Sequence, residues 1–528
     1  MTKRNSLFIT LFVAFLLSAC ASSAPTTALR SIVYGLTLEP SGFDPHIHQS
    51  SELGIVLRQV YDTLVYRHPQ TNEIVPGLAE SWVISDDLRA YTFYLKRGVT
   101  FHDGEPFNAQ AVAANLDRIT SPETPSQRAV FSLGPYQQYL IVDEFTIQII
   151  LTEPYTPLLD SLAQVYLGIA SPKALAEYSL NRYQFHQVGT GPFRFIEYTT
   201  GDKLVIRRNE NYTWGPDFYG DLPGNAVDEI IFRFFADPPT RLSALESKTA
   251  HIMGEIPPAS ARAITANSNI QLYPVAIPGM PMQFIFNTQQ YPTDNVIVRR
   301  ALIQATNRSL ITDVVYQGFS PVAWSALSAN TLYYNPQLNN TYPYELSAAR
   351  NLLESVGFSD QDNNGYLDAG DGDLEVTLLF APWNFMPETA QLIQESWRNV
   401  GVNAILEQVA GFTALRENVA TGDYNLVAFD NAGYDPQVLT RFFMSNGTNN
   451  YTLFQNIELD AALMSATAES APEMRYARYA QIQQFVMDNA LILPIRDYVN
   501  INASVSEIGG LIYDPYGWFP LLYAVTLN

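Results

Sequence analysis

One acidic stretch has the spacing that a hard cation requires. Asp360, Asp362, Asn364, Asp368 and Asp371 stand at positions 1, 3, 5, 9 and 12 of a twelve-residue loop, Gly365 is at position 6, and Tyr366 at position 7 can offer its backbone carbonyl. Two departures set it apart from a calcium hand: position 12 is Asp rather than Glu, and strand-like residues follow instead of a helix. Two readings therefore stand at this level, a structural Ca2+ loop and an Asx-rich acidic turn. Either way no cofactor is required. Histidine offers less. The six His are at 46, 48, 68, 102, 186 and 251, and only His46 and His48 are close. With no third ligand nearby they read as a surface loop rather than a metal site. The chain contains no HExxH, no GxSxG elbow and no phosphate-cradling GxxxxGK[ST]. Asp and Glu are abundant, but nothing in the sequence selects two of them as an acid–base pair.

Covalent chemistry is expected at one residue near the start. Lys3 and Arg4 precede an apolar run over 7–17, too short to span a bilayer, and the run closes on Leu17-Ser18-Ala19-Cys20. Cys20 is the only cysteine of the 528 residues, which excludes a disulfide framework. The pattern resembles the cleavage box of bacterial lipoproteins. That resemblance implies a signal peptide over 1–19, a lipidated Cys20, and a small-residue tether over 20–29 holding the protein to the outer face of a membrane. The formal charge of −22 argues against nucleic acid or an anionic lipid surface as ligand. An apolar content of 47% supports large cores.

These groups must be carried by a fold that alternates strands with helices. Tyr91, Phe93 and Leu95 alternate with Thr92, Tyr94 and Lys96, a strand with one buried face. Asp103-Gly104 turns the chain, and Asn108 caps a helix whose stripe is Val112, Leu116 and Ile119. Further strands are expected over 30–35, 141–151 (in two pieces), 228–234, 281–287, 374–380 and 424–429. Helices are expected over 52–64, 238–247, 298–318 (as two), 347–356, 389–400 and 474–487. The class is α/β with mixed sheets.

The wording of several segments goes further than their periodicity. Residues 75–108 read VPGLAESWVISDDLRAYTFYLKRGVTFHDGEPFN; Gly189-Thr190-Gly191-Pro192-Phe193 and Arg208-Asn209 through Tyr212 follow; 281–287 and Leu491-Ile492-Leu493-Pro494 come later. In that order these blocks resemble the large solute-binding proteins of ABC importers, family 5, the oligopeptide, dipeptide and nickel group. The resemblance runs from about residue 30 to the end. It implies a two-lobe periplasmic-binding-protein-like fold (class II, large cluster C type), with a hinge and an extra subdomain in the first lobe. The implied parts are lobe I over 30–76 and 185–275, the extra subdomain over 77–184, lobe II over 276–492, and a return to lobe I over 493–528.

Ligands of such folds lie at strand ends facing the cleft. The candidates are Phe43, at the place of the family's cleft-rim loop, with Trp383, Asn384, Phe429, Asp430, Asn431, Tyr434 and Asp435 from two lobe II loops. The aromatic residues would form apolar walls, and the carboxylates and amides would fix polarity. Peptide binders of the family carry an Asp shortly before the Asp-Pro pair, to hold the ligand's ammonium. Here that place is Ala432 or Gly433, so a free-ammonium peptide is in question and a glycan or other small solute stands beside it. No Arg for a ligand carboxylate is identifiable from the sequence. The implied role is a monomeric receptor that hands its solute unchanged to a permease driven by an ATPase. The alternatives are a sensor or chaperone on the same fold, and an anchored hydrolase.

Overall fold

The computed structural model describes residues 29–126, 128–370 and 372–528. Cys20, the expected lipidation site, and Asp371, position 12 of the acidic loop, lie outside the described residues.

Two sheets organise the chain. The first has seven strands in the order Ile270–Ala276, Val499–Val505, Ile252–Met253, Ser31–Leu36, Glu229–Phe234, Lys203–Arg208 and Phe193–Thr199. Ser31–Leu36 lies parallel to Glu229–Phe234 on one side and to Ile252–Met253 on the other. The second sheet has five strands in the order Asn403–Gln408, Glu375–Phe380, Leu426–Ala432, Gly279–Phe286 and Ile492–Arg496. Its first three strands are parallel. The chain passes between the sheets twice, at Ile277-Pro278 and at Asp497-Tyr498, where one strand ends and the next begins. These two short segments join the lobes side by side, since the Ile277 N–H donates to the Tyr498 carbonyl at 2.8 Å. A third, antiparallel sheet of four strands, containing Ala79–Ile84 and Ala90–Leu95, closes over its own core of Tyr91, Phe93, Leu116 and Ile149.

The local signals explain most elements. The Asn108 side chain accepts from the Ala111 N–H at 3.1 Å and starts the helix Ala109–Thr120. The Gly189-Thr190-Gly191 turn lies against the end of the helix Ser51–Val60. A Cβ on Gly189 would come within 2.1 Å of the Val60 carbonyl oxygen, so only glycine lets the two backbones approach. That helix ends at Val60, short of the expected 64, because Tyr61 turns extended there. The helix Ile457–Ala468 has no counterpart among the sequence expectations. Ile457 is 84% exposed and Met464 57%, so its apolar residues do not form one stripe. His46 is not on a surface loop. It is fully buried, with Nε2 3.2 Å from the Gly168 carbonyl and Nδ1 2.8 Å from Arg118, because the Asp44–Arg118 pair folds the loop inward.

Candidate functional site

In both large sheets the C-terminal ends of parallel strands face one crevice between the lobes, where side chains from several strands can converge. Lobe I contributes Glu255, just after Ile252–Met253, and Asn500 and Ile501 on the neighbouring strand. Lobe II contributes Trp383 and Asn384, after Glu375–Phe380, and Arg496 at the end of its own strand. Together they surround a cavity of about 400 Å3. Two adjoining cavities of about 330 Å3 each lie along the same crevice, sharing Gln49, Arg128, Gln164, Ala432 and Gly433. The lobes touch beside them. The Thr156 N–H and hydroxyl both donate to the Thr467 carbonyl, and the Arg67 guanidinium covers the Tyr434 ring at 4.1 Å.

The sequence candidates separate into groups. Trp383 and Asn384 line the larger cavity, and Phe429, Asp430, Asn431, Tyr434 and Asp435 line one of the others. Asn384 links the two sets, because its Nδ2 donates to Asp430 Oδ2 at 3.0 Å. Asp435 is occupied by protein: Arg475 grips both its oxygens at 2.7 and 2.8 Å. Phe43 is not at the crevice. It is fully buried in the lobe I core, edge-on to Tyr198 at 4.8 Å, because the turn before Asp44 points its apolar side chain inward. In the acidic loop, Asp360 and Asp362 accept the Asn364 N–H, Asp368 accepts the Gln361 N–H at 2.6 Å, and the Tyr366 N–H donates to Asn364 Oδ1. No three His, Cys, Asp or Glu gather at metal-holding distance among the described residues.

The groups that sequence reasoning missed are Arg496 and Glu255. Arg496 is only 3% exposed, yet among the described residues it has no carboxylate partner. Its Nη1 donates to Ser320 Oγ at 3.0 Å and its Nε has no partner. Tyr316 and Tyr498 hold the guanidinium, their ring centres 3.9 and 4.5 Å away. Asp430 stands nearby, and burial raises its pKa while Arg496 opposes the rise. Glu255 is a third open, toward the crevice. Even so, the enclosing protein and then the Glu52 carboxylate push its pKa up to about 7. Arg241 stands 3.9 Å from Glu255, too far for a tight pair. Three residues around this cavity, Glu255, Asn384 and Phe385, have left-handed backbones with φ of 47°, 51° and 59°. Such conformations persist where surrounding structure holds them, and they gather at binding sites. The only local signal was an arginine and an acid pair inside otherwise apolar runs, ILPIRDY and HIMGEIPP.

Residues 73–452 match the model of bacterial extracellular solute-binding proteins, family 5. The chain belongs to that family. It is 28% identical over 545 residues to heme-binding protein A of Haemophilus influenzae, covering 97% of this chain and 95% of that one. It is 27% identical over 527 residues to the dipeptide-binding protein of Escherichia coli, covering 94% of each. In structure it overlays NikA of Brucella suis, solved with Fe(III)-EDTA, with a TM-score of 0.83 and 21% identity, over 94% of this chain and all of that one. The two-lobe architecture is therefore that of an extracytoplasmic solute receptor. No described helix is long and apolar enough to cross a membrane.

Proposed function

We infer that the protein is the capture component of an ABC importer, tethered to the membrane by a lipid on Cys20, and that it takes a peptide or similar small solute into the interlobe crevice. The observation that carries this is Arg496. A buried guanidinium that makes no salt bridge among the described residues and faces a cavity built by both lobes keeps donor capacity for a ligand. A ligand that touches both lobes favours the arrangement in which they meet, and the permease with its ATPase would read that arrangement. Relatives named for heme and for a dipeptide support a role in binding rather than turnover. The test is mass spectrometry of what co-purifies with the protein, followed by calorimetry with that compound. One-to-one binding without change to the compound is expected, and cleavage of it would favour the hydrolase. Cys20→Ser should move the protein from the membrane to the soluble fraction; retention at the membrane would remove the tether.

A further inference from the structure

The four-stranded sheet that closes over its own core has two faces, and only one is covered. Its strands run in the order Ala79–Ile84, Ala90–Leu95, Thr146–Leu151 and Tyr136–Asp143. Tyr91, Phe93, Ile147 and Ile149 are buried in that core. Alternation along a strand sends their neighbours to the opposite side. There the register lines up one row across all four strands, Val83–Thr92–Gln148–Leu140. The ends of the row are apolar and open to solvent, Val83 at 56% exposure and Leu140 at 53%. Tyr94 in the next row and Val142 at a bulge add 39% and 57%. Single exposed apolar residues are ordinary, but these recur across one sheet.

Charge is missing from the same face. The two central strands contain no charged residue, in a chain whose formal charge is −22. The charges around them stand at the rim: Glu80, Asp143 and Glu144 near strand ends, and Asp86 with the Asp87–Arg89 pair in a turn. An uncharged centre within a polar rim is the anatomy of a protein contact. The middle of the row is polar, with Gln148 Nε2 donating to Thr92 Oγ1 at 2.9 Å, and so suits a protein surface better than hydrocarbon. A strongly basic or acidic partner finds no charge here to answer. Two copies of a −22 chain repel over most of their surface, and they meet at least electrostatic cost through the face that carries none.

We propose that this face is a self-association surface, on which a second copy of the chain packs face to face about a two-fold axis parallel to the strands. That rotation reverses the strand order between the copies. It sets Val83 of one copy over Leu140 of the other, and Thr92 over Gln148, each contact occurring twice. Four strands about 4.8 Å apart, each of about six residues at about 3.3 Å per residue, make a face of roughly 400 Å2. Stable partners bury about 800 Å2 each, so this dimer is weak: dilute protein is monomeric, and association sets in at roughly 0.1–1 mM. Confinement to a membrane by the tether proposed above would raise the local concentration toward that range. No residue of the row lines the crevice cavities, so a paired receptor keeps its capture site open.

The experiment is static light scattering of the full chain, made soluble by Cys20→Ser, from about 5 µM to about 500 µM. The weight-average mass should begin at the monomer value and rise roughly 1.4- to 1.7-fold at the top of that range. The Val83→Lys, Leu140→Lys double variant sets like charges together and should stay monomeric throughout. The Val83→Lys, Leu140→Glu double variant sets opposite charges together and should regain association. Both positions point outward, and unchanged melting temperatures show that the fold is kept. A mass that stays at the monomer value without either change overturns the proposal. So does association that the like-charge variant leaves intact. Association of the unaltered face without recovery in the opposite-charge variant overturns the two-fold pairing. Flotation with neutral phosphatidylcholine vesicles, with no association in solution, would assign the face to lipid and overturn the proposal as well.

Discussion

Arg475 and Arg496 are about equally hidden from water, at 5% and 3% exposure, but they differ in whether the protein answers their charge. Arg475 meets Asp435 with two oxygen contacts, and nearby Arg67 meets Asp160 at 2.6 Å. Arg496 meets a serine, two ring faces and a cavity. A carboxylate in a crevice attracts attention as a ligand group, yet at the Asp435 end the charges are settled within the fold. Scaffold charges are therefore those the protein neutralises itself. Site charges are those it leaves for something else to neutralise.

The largest expected effect comes from breaking a settled pair. Asp435→Ala leaves Arg475 buried and uncompensated, and should cost about 3–5 kcal/mol in denaturant unfolding. The double change Asp435→Leu with Arg475→Met should recover most of that loss, since it removes both desolvated charges. If Asp435→Ala instead left stability unchanged and abolished binding, the division between the two ends would be reversed. Arg496→Met should behave in the opposite way. No salt bridge is broken, so stability should fall by less than in Asp435→Ala, while affinity for the co-purifying solute falls by roughly 10- to 100-fold.

This contrast also marks what the sequence made legible. Strands and helices could be read wherever apolar residues repeat, as at Ala90–Leu95 and Ala109–Thr120, because burial of one face leaves a periodic trace. The loops after Glu375–Phe380 and Leu426–Ala432 could be placed at the crevice because parallel strands send their C-terminal loops there. Phe43 could not be separated from a cleft aromatic, since whether a loop ring points inward depends on the distant Tyr198. Arg496 and Glu255 left no trace as a pair. They are separated by most of lobe II in the chain, and the absence of a salt-bridge partner for Arg496 among the described residues is a property of three-dimensional neighbours.

A further buried charge lies at the lobe crossing, next to Arg496 in the chain. Asp497 is 5% exposed, takes the Ala329 N–H on Oδ2 at 3.0 Å, and has no partner for Oδ1. Burial raises its pKa to about 7, against the lesser opposing pulls of that N–H and of Arg496. The sign follows from the protons bound. Between the unfolded value near 4 and about 7 the folded state keeps a proton that the unfolded state releases, so this group's contribution is complete below pH 4 and is lost as pH rises through 7. The stability of Asp497→Asn relative to the wild type should therefore be about 1–3 kcal/mol more favourable at pH 8 than at pH 5. A gap that did not widen with pH would mean that Asp497 is neutralised by the crossing itself, as Asp435 is by Arg475.

The smallest effect is expected at the surface, in the 360–371 loop, where the same rule can be applied to calcium. Asp360 and Asp362 already accept backbone N–H groups of Asn364 and Gly365, and Asn364 Nδ2 bridges Asp362 and Asp373 at 3.2 and 2.9 Å. Gly365, with φ of 94°, makes the sharp turn that a position-6 residue needs. The loop is thus closed largely by its own donors, and an ion would add stability only in proportion to its occupancy. If Ca2+ is bound, EGTA should lower the melting temperature by under about 2 °C, and added Ca2+ should restore it. An identical value in EGTA and in Ca2+ would place these carboxylates with Asp435, as charges answered from within the chain. A drop of many degrees would instead group them with Arg496, as charges that wait for a partner.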